Sequence, residues 1–203
     1  MAGWSAHKGR MVALPMSDVD TDQLIPARFM SVPRSDGYGD YLFHDLRRGE
    51  DSAARAGFPL NRHNDVSIIV AGRNFGSGSS REAAVYALVD AGVRAVIAPS
   101  FGDIFAGNAV NNGLLPARVS AEDAAALTAA LGDDAAMGQI DLKTRRITLG
   151  ELCLPFTLDE GWRTKLINGW DDIDLTLRHK AEICNFKRKR SQTASWAWPA
   201  AAD

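Results

Sequence analysis

One stretch of the chain, residues 65–100, constrains the fold more than any other. Residues 65–72 (DVSIIVAG) form a β-branched apolar run of strand length. Residues 80–91 (SREAAVYALVDA) are rich in strong helix formers and stop before Gly92, a residue type that commonly closes a helix. Residues 94–100 (RAVIAPS) are again apolar and of strand length. Strand, helix and strand in so short a span predict a right-handed βαβ unit and therefore an α/β fold.

The rest of the chain extends this α/β prediction. Residues 35–64 are dense in turn formers and charges, so we expect irregular structure there. The other patterns predict a helix over 101–112 closed by Gly113, a strand over 113–119 broken by Pro116, a helix over 120–131 with Ser120 as its N-cap, a strand hairpin over 139–156, and a helical segment over 158–190 interrupted at Gly161 and Gly169.

Composition excludes several classes of function. The formal net charge of the 203 residues is -2, so the chain has no overall attraction for nucleic acid or for an anionic membrane. The start lacks the apolar core of a signal peptide, and no stretch approaches the roughly 18 apolar residues of a membrane helix, so we expect a cytoplasmic protein. The two cysteines, Cys153 and Cys184, suit a reducing compartment. They are too few to hold an iron–sulfur cluster, which takes about four ligands, and we expect no metal site in this chain.

Three aspartates at alternate positions, Asp18, Asp20 and Asp22, superficially resemble a calcium loop. The glycine and the distal glutamate of such a loop are missing, which argues against calcium. We therefore expect a turn in which aspartate side chains accept hydrogen bonds from nearby backbone N–H groups.

The loop between the first predicted strand and its helix, GRNFGSGSSRE (72–82), is the strongest candidate for a binding site. Its G-x-G pattern lacks the third glycine and the acidic partner of a dinucleotide-binding fingerprint, and it lacks the Gly-Lys-Ser/Thr of a P-loop. Ser79 and Glu82 also match the S-x-x-E capping box, so a purely structural interpretation stays open.

A helix N-terminus offers unpaired N–H groups and a partial positive charge. Gly78 allows a ligand to approach the backbone closely, and Arg81, expected in the first helical turn, can bind a carboxylate with two parallel hydrogen bonds. We therefore predict a carboxylate-binding site. Either Ser79 or Ser80 could act as a base, provided that the surrounding positive charge stabilises its alkoxide.

Four segments in the same order resemble the swivel domain of the aconitase superfamily, and in particular the small subunits of bacterial 3-isopropylmalate dehydratases. They are DVDTDQLIPARF, GRNFGSGSSREAAVYAL, AVIAPSFGDIFAGNAVNNGLLP and PFTLDEGWRTKLINGWDDIDLTLRH, and the resemblance covers roughly residues 8–182. It implies a three-layer β/β/α swivel domain over 1–182 with a substrate loop at about 30–45. Residues 183–203 would be a C-terminal tail that is either disordered or docked on a partner.

The resemblance also implies a function. Subunits of this family are hydro-lyases that act only with a large subunit, in a heterodimer or heterotetramer, and the large subunit carries a 4Fe-4S cluster. The pair isomerises 2-isopropylmalate and 3-isopropylmalate by dehydration and rehydration in leucine biosynthesis. Two alternatives stay open, namely a related hydro-lyase for another small diacid, of the methyl-substituted malate or maleate type, and a non-catalytic carboxylate-binding module.

The resemblance assigns roles to the residues of the glycine loop. Ser79 would be the base that removes the carbon-bound proton, and Arg81 would clamp a substrate carboxylate. Ser80 would stabilise the alkoxide or contact a carboxylate, beside the exposed backbone of Gly78.

The resemblance is weaker in the predicted substrate loop. Arg34 is the first candidate for a second carboxylate contact, and Arg28 is the other. Typical leucine-pathway small subunits carry a Lys-Arg pair shortly after the phenylalanine, where this chain has Ser31-Val32-Pro33. The identity of the diacid therefore stays open.

Overall fold

The computed structural model describes residues 2–49 and 51–198, and its backbone is organised around one seven-stranded sheet. The strands are β1 (Ala6–Leu14), β2 (Val66–Ala71), β3 (Ala95–Ala98), β4 (Leu115–Arg118), β5 (Ala135–Asp141), β6 (Arg146–Leu149) and β7 (Leu152–Pro155). The α-helices are α1 (Thr21–Leu24), α2 (His44–Arg47), α3 (Pro59–Arg62), α4 (Glu82–Asp90), α5 (Asp103–Asn111), α6 (Ala121–Leu131), α7 (Glu160–Asn168), α8 (Asp172–Leu177) and α9 (Lys180–Thr193). Short 3-10 turns lie at Ala27–Phe29, Arg34–Asp36, Tyr38–Tyr41 and Ser195–Ala197.

The sheet has a parallel half and an antiparallel half. Its strand order is β4-β3-β2-β1-β5-β6-β7. Strands β1 to β4 are parallel to one another, whereas β5 pairs antiparallel with β1 and begins an antiparallel meander. Because parallel strands end at the same edge, the loops that follow β2 and β3 meet there, which is where α/β sheets usually bind ligands.

Both faces of the parallel half are buried. Ile69 and Val96 belong to a core shared with α4 and α5, whereas their neighbours Ile68 and Ile97 belong to a second core. This second core contains side chains of α6 and of the meander, so the antiparallel half shares a hydrophobic layer with the other face. Burial on both faces explains the nearly continuous apolar runs of these strands.

The structure confirms the predicted βαβ unit and the α/β fold class. Strands β2 and β3 flank α4, and Gly92 follows the helix with φ +90°. Helix α6 begins after Ser120, whose side chain accepts a hydrogen bond from the Asp123 N–H at 2.9 Å. Gly169 adopts a left-handed conformation at the end of α7, as expected for a C-terminal cap.

Several local predictions were wrong. Pro116 lies inside β4. A proline is tolerated there because β4 is an edge strand, in which not every residue has to donate a backbone hydrogen bond. Gly161 lies in the first turn of α7 and does not interrupt it. The predicted hairpin is a three-stranded meander, and residues 35–64 contain short helices.

The C-terminal segment continues as a helix beyond the predicted domain boundary. Helix α9 begins at Lys180, so the boundary predicted at residue 182 falls inside its first turn. Its residues are exposed along the whole length, and residues 199–203 of the predicted tail lie outside the described residues. Among residues 2–49 and 51–198, no helix is long and apolar enough to cross a membrane.

Candidate active site

The glycine loop between β2 and α4 is held against two other segments at the carboxyl edge of the sheet. The Phe75 N–H donates to the Ser100 carbonyl at 3.0 Å, and the Gly102 N–H donates to the Phe75 carbonyl at 3.0 Å, which links the loops after β2 and β3. The Gly76 N–H donates to the Val19 carbonyl at 2.8 Å and so ties the loop to the segment that follows β1. Three loops are thus joined by backbone hydrogen bonds.

Two glycines are required where these loops cross. A Cβ on Gly76 would lie 2.2 Å from the ring of Phe105, and a Cβ on Gly102 would lie 2.5 Å from the Gly76 carbonyl oxygen. Gly78 also has φ +90°, a conformation that residues with a side chain rarely adopt. The glycines therefore set the shape of the loop.

Thr21 fixes the backbone at Ser79. The Thr21 side chain is 2% exposed, and its hydroxyl donates to the Ser79 carbonyl at 3.0 Å. The Arg81 N–H donates to the same carbonyl at 2.7 Å, and the Thr21 N–H donates to the Ser77 carbonyl at 3.0 Å. The main chain of Ser79 is therefore held firmly while the residue itself stays exposed.

A cleft of about 280 Å³ opens at this point. The glycine loop from Gly76 to Arg81 lines one side, and Thr21 and the first residues of α5 line the rest. Within the described residues, the N–H groups of Gly78, Ser79 and Ser80 donate to no protein oxygen. Because the N-termini of α4 and α5 both border the cleft, unpaired amides and partial positive charge converge on it, which suits an anion.

Arg81 lies at the N-cap of α4, one residue before the first turn in which it was predicted. Its Nη1 donates to the Oδ1 of Asp22, and its side chain is 24% exposed. The Asp22 carboxylate therefore positions the guanidinium at the cleft. Asp22 is a residue of the site that sequence reasoning missed, because its partner lies 59 positions away and no local pattern indicates the pair.

The other two aspartates have separate roles. Asp20 accepts a hydrogen bond from the Gln23 N–H at 2.7 Å and caps α1, as the turn interpretation predicted. Asp18 instead accepts from the Asn74 side chain at 2.9 Å and pairs with Arg73 at 3.1 Å, both at the start of the glycine loop. The turn interpretation is thus right for one of the three residues.

The predicted capping box at Ser79 and Glu82 does not form. Helix α4 begins at Glu82, and among the described residues no side chain caps its N-terminus. Glu82 accepts a hydrogen bond from the Asn112 side chain at 2.8 Å instead. The chain turns at Gly78 and is held at the Ser79 carbonyl, so helical geometry starts three residues after Ser79. The Ser79 hydroxyl therefore does not cap the helix.

The structure does not bring Arg34 to the cleft. Its Nη2 donates to the Asp90 Oδ1 at 3.0 Å, and its guanidinium lies 3.7 Å from the centroid of the Tyr86 ring. The hydrogen bond to Asp90 raises the pKa of Arg34. Asp90 is the last residue of α4, at the opposite end of the helix from Ser79, and the substrate-binding role of Arg34 stays a prediction.

Arg28 is also engaged elsewhere. Its guanidinium forms an ion pair with Asp45. Hydrogen bonds from Arg28 and from His44 lower the pKa of Asp45 to about 2. Its proposed contact with substrate likewise stays a prediction.

The side chains that the structure describes do not fit an iron–sulfur cluster. Cys153 lies on β7, Cys184 lies on α9, and both are exposed. Within residues 2–49 and 51–198, no three His, Cys, Asp or Glu side chains lie close enough together to hold a metal ion.

The aconitase C-terminal domain family matches residues 1–122 of the chain. The chain is 44% identical over 202 residues to the 3-isopropylmalate dehydratase small subunit of Shewanella oneidensis, which covers 97% of this chain and 99% of that protein. It belongs to the family of 3-isopropylmalate dehydratase small subunits. The small subunit of Frankia alni is 45% identical over 193 residues, with 94% of this chain and 96% of that protein covered.

A solved structure agrees with this family membership. The crystal structure of a 3-isopropylmalate dehydratase from Methanocaldococcus jannaschii matches with a TM-score of 0.65 and 28% sequence identity. The match covers 89% of this chain and 98% of that chain. The resemblance inferred from the four sequence segments is therefore confirmed for the family and for the fold.

Proposed function

We propose that this chain is the small subunit of a hydro-lyase that isomerises 2-isopropylmalate and 3-isopropylmalate in leucine biosynthesis, and that it acts in the cytoplasm together with a large subunit. One observation carries the proposal. The exposed Ser79 is free of any capping role and stands beside Arg81 at a cleft of unpaired amides. The relatives that are more than 40% identical over nearly the whole chain support the choice of substrate.

Binding of the substrate follows from the charge of the cleft. Arg81 donates hydrogen bonds to one substrate carboxylate, and the amides of Gly78 and Ser80 donate to its remaining lone pairs. Asp22 holds the guanidinium in place before the substrate arrives. The carbon that carries the acidic proton is thereby brought to the Ser79 hydroxyl oxygen.

Ser79 acts as the general base in its alkoxide form. The adjacent amides and the Arg81 charge favour the alkoxide, because both interact more strongly with an anion than with the neutral hydroxyl. The proton passes from the substrate carbon to Ser79 Oγ, the C–H electron pair forms a double bond, and hydroxide leaves the neighbouring carbon. When water adds back in the opposite orientation, the protonated Ser79 hydroxyl donates a proton to the substrate carbon.

Departure of hydroxide calls for a Lewis acid, and residues 2–49 and 51–198 contain no group of side chains that could hold a metal ion. We therefore place a 4Fe-4S cluster on the large subunit, as the family resemblance implies. The large subunit closes over the cleft, in a heterodimer or heterotetramer, and the small subunit supplies the base and the carboxylate clamp.

The test is reconstitution with the large subunit under anaerobic conditions. Ser79→Ala should lower kcat by about 10²–10⁴-fold, the usual contribution of a positioned general base. Its melting temperature should match that of the wild type, because Thr21 bonds to the Ser79 carbonyl and not to its hydroxyl. Ser191→Ala, at an exposed serine of α9, is the control and should leave kcat unchanged. Full activity of Ser79→Ala would rule out this base.

Residues 31–33 favour a second candidate, a hydro-lyase for another small diacid. They replace the expected Lys-Arg pair with Ser-Val-Pro, and Arg34 is held by Asp90 in this structure. The two candidate functions are distinguished by measuring kcat/KM of the reconstituted pair with isopropylmalates, methyl-substituted malates and maleate. A higher kcat/KM with a smaller diacid than with the isopropylmalates would show that the smaller diacid is the substrate. The proposed role of Ser79 would not change. A complex that forms but turns over none of them would favour a binding module.

A further inference from the structure

The outer side of helix α5 carries an exposed isoleucine and a mid-helix glycine. Ile104, Gly107 and Asn108 are spaced three and four positions apart, so they lie on the same side of the helix. The opposite side is buried in the protein core through Phe105, Ala106, Ala109 and Val110. We call the row formed by Ile104, Gly107 and Asn108 the outer stripe of α5.

Ile104 joins this stripe to the candidate active site. It lines the cleft, and its side chain is 58% exposed. Exposure of an isoleucine side chain to water at the rim of the cleft is unfavourable. Burial of that side chain against a partner removes apolar surface from water and is favourable.

Gly107 has no explanation within the chain. It lies in the middle of α5, where glycine destabilises a helix relative to alanine. A Cβ built at Gly107 would meet nothing within 4 Å, and its φ is not among the positive values that glycine permits. The contrast with Gly76 is clear, since a Cβ there would clash with Phe105. What Gly107 does permit is close approach of another backbone from outside.

We propose that the outer stripe of α5 docks on the large subunit. This inference rests on the function proposed above. The proposed function places the Lewis acid on the large subunit, which must therefore reach the rim of the cleft. The stripe continues directly from that rim through Ile104. Ile104 is buried against the partner beside the cleft, and Gly107 lets the partner backbone pass close to α5 one turn further along.

Gly107→Gln separates docking from folding, because the two effects have opposite signs. The isolated variant should melt about 1–2 °C higher than the wild type, since a helix former replaces glycine on open surface. Its affinity for the large subunit should fall by about tenfold or more, because the side chain occupies the approach path. We expect turnover at saturating large subunit to stay near the wild-type value, because Gly107 lies outside the cleft.

Ile104→Ala is the second variant and should also weaken binding by about tenfold. Met137→Ala is its matched control, because Met137 is 55% exposed and lies on β5 in the antiparallel half of the sheet. The control should bind within about twofold of the wild type. Affinities can be measured by titration calorimetry with the purified large subunit.

Wild-type affinity in both Gly107→Gln and Ile104→Ala would overturn the docking surface. A wild-type pair that binds but shows no turnover on any diacid would instead sink the proposed function, and the affinities of the variants would still decide where the large subunit docks. If the wild-type chain forms no complex at all, both proposals fail together.

Discussion

At the scale of single residues, the three aspartates at alternate positions each make a different contact. Asp20 caps a helix, Asp18 holds the beginning of the glycine loop, and Asp22 holds Arg81 at its end. The segment after β1 thus forms side-chain contacts with both ends of the loop that carries Ser79. Rigid support of this kind fixes the geometry that the proton transfer proposed for Ser79 requires.

Asp22→Asn tests whether Asp22 positions Arg81. The amide oxygen can still accept from Arg81 but carries no negative charge, and this weakening, about 1 kcal/mol, should reduce kcat/KM of the reconstituted complex by about fivefold. The change in folding stability should stay below about 1 kcal/mol, because the Asp22 side chain is 53% exposed. Steady-state kinetics and thermal denaturation measure the two effects.

Asp18→Asn is the control for this prediction, since Asp18 contacts the loop without touching Arg81. A lower KM in Asp22→Asn would contradict the positioning role, because it would mean that Asp22 competes with the substrate for the guanidinium.

The sequence could indicate the loop but not all of its contacts. Glycines, two serines and an arginine before a helix are a local pattern, and this pattern alone predicts the candidate site. The S-x-x-E pattern was misleading, because the Thr21 hydrogen bond to the Ser79 carbonyl and the turn at Gly78 delay the start of α4. Neither of these constraints can be read from residues 79–82 alone.

At the scale of helices and strands, a buried lysine connects three helices at the C-terminal end of α5. Lys165 of α7 is 2% exposed. Its Nζ donates to Asp172 Oδ1 at 2.6 Å, at the start of α8, and to the Oδ1 of Asn111, at the end of α5. The hydrogen bond from Lys165 lowers the pKa of Asp172. This contact fixes the C-terminal end of a helix whose N-terminal end borders the cleft.

Lys165→Met should lower the free energy of unfolding by about 1–2 kcal/mol at neutral pH, because Asn111 and Asp172 lose their donor while the apolar volume is kept. A lowered pKa in the folded state stabilises the fold above the ordinary carboxyl value of 3.8 and loses that effect as the pH falls through the lowered value. The difference in melting temperature between wild type and variant should therefore shrink below pH 3.8. A difference that stays constant down to pH 2 would contradict this assignment.

Elements whose signals are local were predicted well, and elements held by distant contacts were not. The βαβ unit and α6 follow from apolar periodicity and end signals in their own residues. The short helices between residues 21 and 62 depend on contacts such as the Phe43 N–H to the Leu24 carbonyl, at 2.9 Å. Pro116 was misjudged because its edge position is a property of the whole sheet.

At the scale of the whole molecule, charge is distributed unevenly between the sheet domain and its C-terminal helix. Helix α9 carries five basic residues and one acidic residue, although the chain as a whole has a net charge of -2. It exposes Ile183 at 43% and Phe186 at 68%, and its principal contacts are with the neighbouring turn Ser195–Ala197. The helix therefore adds little to the stability of the sheet domain.

Truncation after His179 should leave the melting temperature within about 2 °C of the wild type, because none of the described residues 180–198 belongs to either hydrophobic core. Differential scanning calorimetry of the two chains checks this. A fall of about 5 °C or more would show that residues 180–203 belong to the folding unit. Weaker binding of the truncated chain to the large subunit would support the prediction that the tail docks on a partner.

The crossing of Gly76 and Gly102 has a consequence for protein engineering. A library that randomises these two positions should return glycine at both, since any larger residue strikes a ring or a carbonyl oxygen in the interior. The end of the cleft that faces the amides thus has a fixed width. New substrates can be accommodated only by redesigning the remaining walls.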